Sequence, residues 1–415
     1  MSSKTQTTAT KEEARPALVP KLRFPEFQKL KGWSQTTLNG IAAPVTERAI
    51  QGDEDNVLSL SAEHGIVLQS EFFGKKVAGD NSERYLKIVC DDFVYNDRTT
   101  KASTFGTIKR LSKHSGGIVS PIYKCFRFHA NENPVFWEQY FESGYHDMAL
   151  RGLVNEGARA GRFNISITQF LSTAAFRPDE AEQQKIAECL SSVDELMAAQ
   201  ARKVDALKTH KKGLMQQLFP RGGETQPRLR FPEFQNAGDW EPTTLGDVVK
   251  SFKTGKLDAN AMVENGQYRF YTCAKNYYQI DHYAFEGEAL LVAGNGAHLG
   301  YIHHYIGKFN AYQRTYVLQD FKANVVFLRC LLDRYLPARI QFEKKDGNTP
   351  YIVLSTLTEM PLVIPRDPDE QQRIATCLSS LDSLITAETQ KHEALKTHKK
   401  GLMQQLFPSP EETNP

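Results

Sequence analysis

At 415 residues the chain has room for two or three domains, and 40% hydrophobic with 24% charged residues lets each of them bury a core. That balance excludes a wholly disordered polymer, and no apolar run approaches the roughly 18 residues a membrane span requires. A formal net charge of only +2 argues against a polycation that coats nucleic acid and directs attention to local basic patches.

The first residues, MSSKTQTTATKEEARPALVP, are polar, lack the apolar core of a secretory signal and are expected to form a flexible tail over 1–20. Six cysteines, Cys90, Cys125, Cys189, Cys273, Cys330 and Cys377, lie far apart and form no CxxC pair. Reduced thiols and a cytoplasmic location are therefore expected, with no zinc ribbon. KLRFPEF at 21–27 returns as RLRFPEF at 228–234, and at the same offset Trp33 matches Trp240 and Thr36-Thr37-Leu38 matches Thr243-Thr244-Leu245. Such internal duplication decides how the rest is read.

Residues 41–178 alternate short β-branched and aromatic runs with Gly, Asn, Asp and Pro, the pattern of strands joined by turns. GIVSPIYKCFRF (117–128) reads as strands and VFWEQYFES (135–143) as a short amphipathic helix. Residues 95–129 hold seven bases against the single acid Asp97, and Arg151, Arg159 and Arg162 follow in a glycine-rich stretch. Taken alone, a charge run is most often an ordinary solvated loop. From Pro178-Asp179-Glu180 the sequence turns helical, with proline and acids at the positive end of the dipole and Pro220 as the stop. Apolar residues recur there with 4-3 spacing at Ile186, Leu190, Val193, Met197, Val204, Leu207, Leu214 and Leu218. This 3.5-residue period marks a coiled-coil seam, in which polar Gln200 and Lys211 help set register.

The second half repeats the order. After a linker at 221–227, residues 248–366 share little with 41–178 beyond general character. NAYQRTYVLQDF (310–321) reads as strand and VVFLRCLLDRY (325–335) as helix, so both variable regions are mixed α+β. FVYNDRTTKASTFGTIKRL (93–111) and LLVAGNGAHLGYIHHY (290–305) share a faint pattern of strand, polar turn, glycine, strand. Lys253, Lys275, His298 and Arg314 are interleaved with tyrosines and with Asn276, Asn295 and Gln313. Gln371–Pro408 then repeats Gln183–Pro220 at 27 of 38 positions, and LKTHKKGLMQQLFP is unchanged. Its seam is Ile374, Leu378, Leu381, Ile385, Leu395, Leu402 and Leu406, with Glu388, His392 and Lys399 as polar members. A helix of 35–40 residues cannot bury such a stripe alone. Two similar stripes in one chain pair most economically with each other, antiparallel, which predicts a dumbbell of pseudo-two-fold symmetry.

Catalytic constellations are missing. There is no P-loop, AGNGAHLG (293–300) lacks the order of a dinucleotide site, and His303-His304 has no carboxylate at metal-ligand spacing. No nucleophile elbow occurs either. No catalytic residue and no metal site is expected. The bases that suit phosphates and guanine edges, with the amides that suit adenine, make the candidate DNA-contacting set. It comprises Arg98, Lys101, Lys109, Arg110, Lys113, Arg159, Arg162, Lys253, Lys275, Asn276, Asn295, His298, Gln313 and Arg314.

The twin blocks PKLRFPEF and RLRFPEF, the helix starts DEAEQQKIAECLSSVDELM and DPDEQQRIATCLSSLDSLI, and the twin KKGLMQQLFP ends resemble the specificity subunits of type I restriction-modification systems over residues 17–408. The resemblance implies two α+β target recognition domains, 21–178 and 228–367, separated by two long antiparallel helices, 179–220 and 368–408, with a short tail at 409–415. It implies that each domain reads half of an asymmetric bipartite site on double-stranded DNA. The helices would set the unread spacer and dock two modification (methyltransferase) subunits, and restriction (translocase-nuclease) subunits would join them. S-adenosylmethionine, ATP and Mg are expected on those partners and none on this chain, with no membrane association. A non-catalytic dumbbell adaptor that binds proteins rather than DNA is the alternative, and a self-sufficient repressor a weaker one, for want of a helix-turn-helix pattern.

Overall fold

The computed structural model describes residues 18–50, 56–74, 82–99, 103–153, 163–343 and 351–408. Four helices organise them: α1 (Pro134–Glu142), α2 (Glu180–Leu218), α3 (Val325–Glu343) and α4 (Pro368–Leu406). Helices α2 and α4 are each 39 residues, hence about 58 Å long at 1.5 Å per residue. Among the described residues no helix is long and apolar enough to cross a membrane. The chain forms two compact units. Unit 1 runs to Ala199 and resumes from His392; unit 2 is Gln200–Lys391. Each unit thus takes one half of each long helix.

In unit 1, strand β1 (Ser34–Thr37) pairs antiparallel with β10 (Ala174–Arg177) beside the start of α2. The body is two four-stranded sheets. The first has the order β2 (Ala42–Pro44), β9 (Lys124–Phe128), β6 (Phe93–Asn96), β7 (Thr107–Arg110). The second has β4 (Gly65–Leu68), β3 (Val57–Ser61), β8 (Gly116–Val119), β5 (Leu86–Val89). Alternation sorts the first sheet's side chains. Phe93, Tyr95 and Phe126 face α1, packing on Phe136, Trp137 and Tyr140. Val94 and Cys125 face the second sheet, packing with Leu58, Ile88 and Val119.

In unit 2, β11 (Glu241–Thr244) pairs with β18 (Pro361–Ile364), matching β1 with β10. One six-stranded sheet follows, in the order β12 (Val249–Thr254), β17 (Thr315–Phe321), β15 (Phe285–Ala293), β16 (Ile302–Ala311), β13 (Tyr268–Tyr271), β14 (Tyr278–Ile280). Its first four strands reproduce β2-β9-β6-β7, and the hairpins β6–β7 and β15–β16 correspond. The faint sequence echo between 93–111 and 290–305 is therefore a shared sheet topology. Leu290, Val292, Ile302 and Leu318 pack against Phe327, Leu328, Leu331 and Leu336 of α3. On the other face, among the described residues, no second sheet is present. Ala311 is only four residues from Thr315, which pairs with Ala293 at the opposite end of the β15–β16 hairpin. Four residues reach at most ~14 Å, so the hairpin curls back, and Phe309 and Ala311 share a small second core with Leu291 and Val317.

The long helices pair within each unit. In unit 2, Gln200 Nε2 donates to Glu388 Oε2 at 2.6 Å and to its carbonyl at 2.8 Å, Lys203 pairs with Glu388, and Lys211 with Asp382 at 2.6 Å. Partner numbers fall as α2 numbers rise, so the pairing is antiparallel. In unit 1, Lys399 meets Asp194 at 2.8 Å, the equivalent pair from the opposite helices, and Leu190 shares a core with Leu406. The expected seam lies on this side. Leu190, Val193, Val204 and Leu378 are buried; Met197, Leu207, Leu214, Leu381, Ile385, Leu395 and Leu402 are half-buried. The polar seam positions Gln200 and Glu388 satisfy each other, which is why that layer tolerates them.

Candidate nucleic-acid interface

Each unit holds its sheet with the same polar clamp, built from residues that the sequence repeats. In unit 1 the Arg23 guanidinium donates to both oxygens of Glu182, at 2.8 and 2.6 Å, and Trp33 Nε1 donates to Glu182 at 3.4 Å. In unit 2 Arg230 donates to both oxygens of Glu370 at 2.7 Å, and Trp240 Nε1 at 3.2 Å. Both carboxylates are almost wholly buried. Beside the clamp, Asn133 donates and caps: its N–H donates to Gln183 Oε1 at 3.0 Å, and its side chain accepts from the first turn of α1. Asn324 does the same with Gln371, at 3.0 Å, ahead of α3. The end of a long helix closes each cluster. Phe407 packs on Trp33 and Phe136 in unit 1, and Phe219 on Trp240 and Phe327 in unit 2. The Asn133–Gln183 and Asn324–Gln371 bonds and the Phe407–Phe136 and Phe219–Phe327 contacts tie each variable region to the repeated helices.

What the clamps hold differs. In unit 2 four loops converge at one end of the sheet. Gly294 N donates to Arg314 O at 2.9 Å, Gln313 N to Leu257 O at 2.9 Å, Tyr312 N to Tyr271 O at 2.9 Å, and His303 Nε2 to Ala274 O at 2.9 Å. The structure thereby brings together the residues the sequence singled out here. Lys275, Asn276, Gln313 and Arg314 are exposed, Asn295 and His298 half-buried, and Lys253 exposed on the neighbouring β12. Turn 294–300 needs glycine at position 300, where φ is +81° and a Cβ would meet Ile340 Cδ1 at 2.8 Å. Burial holds the His303 imidazole below its ordinary pKa, so at neutral pH it is an uncharged donor to Ala274. His304 pairs with Glu288 at 2.8 Å, so the acid-free stretch 296–316 finds an acid in space. Among the described residues no cluster of His, Cys, Asp or Glu could hold a metal ion.

Unit 1 corrects the reading of the basic stretch 95–129. Lys109 pairs with Glu142 at 2.7 Å, Arg110 with Asp91 at 2.6 Å and Glu138 at 2.7 Å, Lys124 with Asp97 at 2.7 Å, and Arg127 with Asp92. Helix α1 and the turn before β6 supply acids that are remote in sequence, and these neutralise what reads as a patch. Arg98 is exposed; Lys113 is exposed and donates to the His64 carbonyl at 3.2 Å. Lys101, Arg159 and Arg162 lie outside the described residues. One charged residue was missed by sequence reasoning. Arg269 on β13 lies over the rings of Tyr277 and Tyr305, 4.3 and 4.6 Å from their centroids. Its signal was the period-two pairing with Tyr271 in YRFY, which puts both on one face of the strand.

Residues 237–397, from just before Trp240 through most of α4, match the type I restriction modification DNA specificity domain. The chain carries a type I restriction modification DNA specificity domain. It is similar to the type I restriction enzyme EcoDI specificity subunit of Escherichia coli, 42% identical over 143 residues, which is 34% of this chain and 31% of that protein. It is also similar to the type I restriction enzyme MjaVIII specificity subunit of Methanocaldococcus jannaschii, 24% identical over 265 residues, 55% of this chain and 60% of that protein. The matched stretches thus span between about a third and three fifths of these relatives. In fold, it resembles the type I restriction-modification S subunit from M. genitalium, with a TM-score of 0.60 at 16% identity, covering 94% of this chain and all of the other. The matched stretch 237–397 contains Trp240 and Glu370 of the unit 2 clamp, Arg230 lies just before it, and unit 1 has the same clamp on a differently completed sheet.

Proposed function

We propose that this chain is the DNA-reading specificity subunit of a type I restriction-modification complex. Each unit reads one half of an asymmetric bipartite site. The paired helices set the unread spacer and dock two modification subunits, which bring S-adenosylmethionine, while restriction subunits bring ATP and Mg. The chain itself does no chemistry, and its DNA partner puts it in the cytoplasm. One observation carries this reading: an identical clamp, made twice from repeated residues, holds two sheets whose second faces and loop ends are unlike. Repeated parts suit two copies of one partner, and unlike parts suit two different half-sites.

Within unit 2 the DNA-facing set is Lys253, Lys275, Asn276, Asn295, His298, Gln313 and Arg314, gathered at one loop end. Among the described residues of unit 1, Arg98 and Lys113 remain, while Lys109 and Arg110 serve the fold. The test is to map methylated adenines in cells expressing the chain with its modification subunits. A bipartite motif with unlike halves is expected, and exchange of residues 248–360 for those of a relative should alter one half alone. Methylation without sequence preference, or changes in both halves, would refute the reading. Inserting four residues after Gln200 and four after Glu388 lengthens both helices by about 6 Å, and the spacer should grow by one or two base pairs.

A further inference from the structure

The Arg269 site is built rather than incidental. The guanidinium lies over the rings of both Tyr277 and Tyr305, and its NH1 reaches the Tyr271 hydroxyl at 3.4 Å. The supporting rings are themselves braced. Tyr271 is buried and lies 4.9 Å from His303, whose Nε2 is tied to Ala274 in the loop that carries Lys275 and Asn276. Gly307 makes the room: it has φ +143°, and a Cβ there would sit 2.9 Å from the Tyr305 hydroxyl and 3.1 Å from its ring. Among the described residues no carboxylate pairs with Arg269, although Arg23, Arg110, Arg127 and Arg177 of unit 1 each have one. Tyr277, the outer ring, is 45% exposed.

Two rings packed against the guanidinium, with NH1 turned to Tyr271, leave its remaining in-plane N–H groups for a ligand. Stacking also removes the rotamer freedom that a surface arginine would lose on binding. A planar donor fork held edge-on, without a counter-ion, matches a pair of acceptors in one plane. In duplex DNA that pair is guanine O6 and N7 in the major groove. We propose that Arg269 reads a guanine in the half-site recognised by unit 2, and that Tyr277 and Tyr305 hold its fork for that purpose. This rests on the DNA-reading function proposed above.

The test uses the full chain assembled with its modification subunits and a randomised duplex library. For the unmodified chain, selection should return a half-site with one guanine whose replacement by 7-deazaguanine, which lacks the N7 acceptor, weakens binding. Arg269→Lys keeps the charge and loses the fork. It should lower discrimination at that one position by about 5- to 150-fold, make the complex indifferent to 7-deazaguanine there, and leave the other half-site unchanged. Tyr277→Leu should do the same more weakly, and it carries the test should Arg269→Lys fail to assemble. Unchanged preference in both variants would overturn the proposal. So would a loss uniform across sequences with the salt slope reduced by about one, the mark of a phosphate contact. Absence of any sequence preference in the unmodified complex would instead overturn the DNA-reading function itself.

Discussion

Removing Arg230 tests whether the buried clamp holds unit 2 together. Its side chain is 10% exposed and that of Glu370 1%, with two 2.7 Å bonds between them. Arg230→Met leaves the Glu370 carboxylate buried with only the Trp240 N–H, 3.2 Å away, to satisfy it. Breaking one side of a buried pair costs ~3–5 kcal/mol. For a body of this size each kcal/mol moves the midpoint by about 2–4 °C, giving a fall of roughly 6–20 °C for unit 2. Hydrogen exchange with peptide-level detection separates the units. Amides of unit 2 that exchange by opening of the whole unit should accelerate by roughly two to nearly four orders of magnitude, since about 1.4 kcal/mol is a factor of ten. Arg23→Met should do the same for unit 1. Adding Glu370→Gln to Arg230→Met removes the stranded charge and keeps an acceptor for Trp240, so most of the loss should return. A cost below ~1 kcal/mol, as for an exposed pair, or no recovery in the double variant, would refute this account of the clamp.

Two further predictions concern single residues. His146 is buried among Tyr140, Phe141 and Phe170, and the Thr173 hydroxyl is committed to Phe170 O, so its Nε2–H donates to Thr173 Oγ1 and the ring is neutral. Burial pulls its pKa down to about 3, below the unfolded value near 6.5, so the unfolded chain binds the proton more readily. Stability from this group is complete above pH 6.5 and is lost as pH falls towards 3, ~2 kcal/mol of it by pH 5. Denaturant titrations at pH 7 and 5 should show that His146→Phe shrinks this acid loss in unit 1; an unchanged pH dependence would contradict the sign. Gly213 lies inside α2 with nothing within 4 Å of an added Cβ, so Gly213→Ala should stabilise by ~0.5–1 kcal/mol. Gly300→Ala, at positive φ and against Ile340, should destabilise by ~1–3 kcal/mol. Thermal melts of the two variants check the contrast, and shifts in the same direction would refute it.

Much of the architecture was legible because it repeats. Two copies of one helix with a 3.5-residue stripe must find a partner for that stripe, and the duplicated FPEF and Trp positions mark where the sheets are fastened. The charge reading of 95–129 failed because composition counts neighbours in sequence, while Asp91, Glu138 and Glu142 reach Lys109 and Arg110 only after β6, β7 and α1 pack. In the second half the named polar residues did converge, since Lys253 lies near the end of β12, the others sit in turns at strand ends, and pairing brings those ends together.

By itself, then, the order of residues determined the periodic features: helix lengths, seam, strand runs and the duplicated anchors, all of which are set by local spacing. Only the tertiary structure decided which charges were already neutralised, how each sheet covered its second face, and that Arg269 packs on two tyrosines. Those outcomes depend on the curl of a hairpin and on contacts between residues far apart in the chain, which no local pattern encodes.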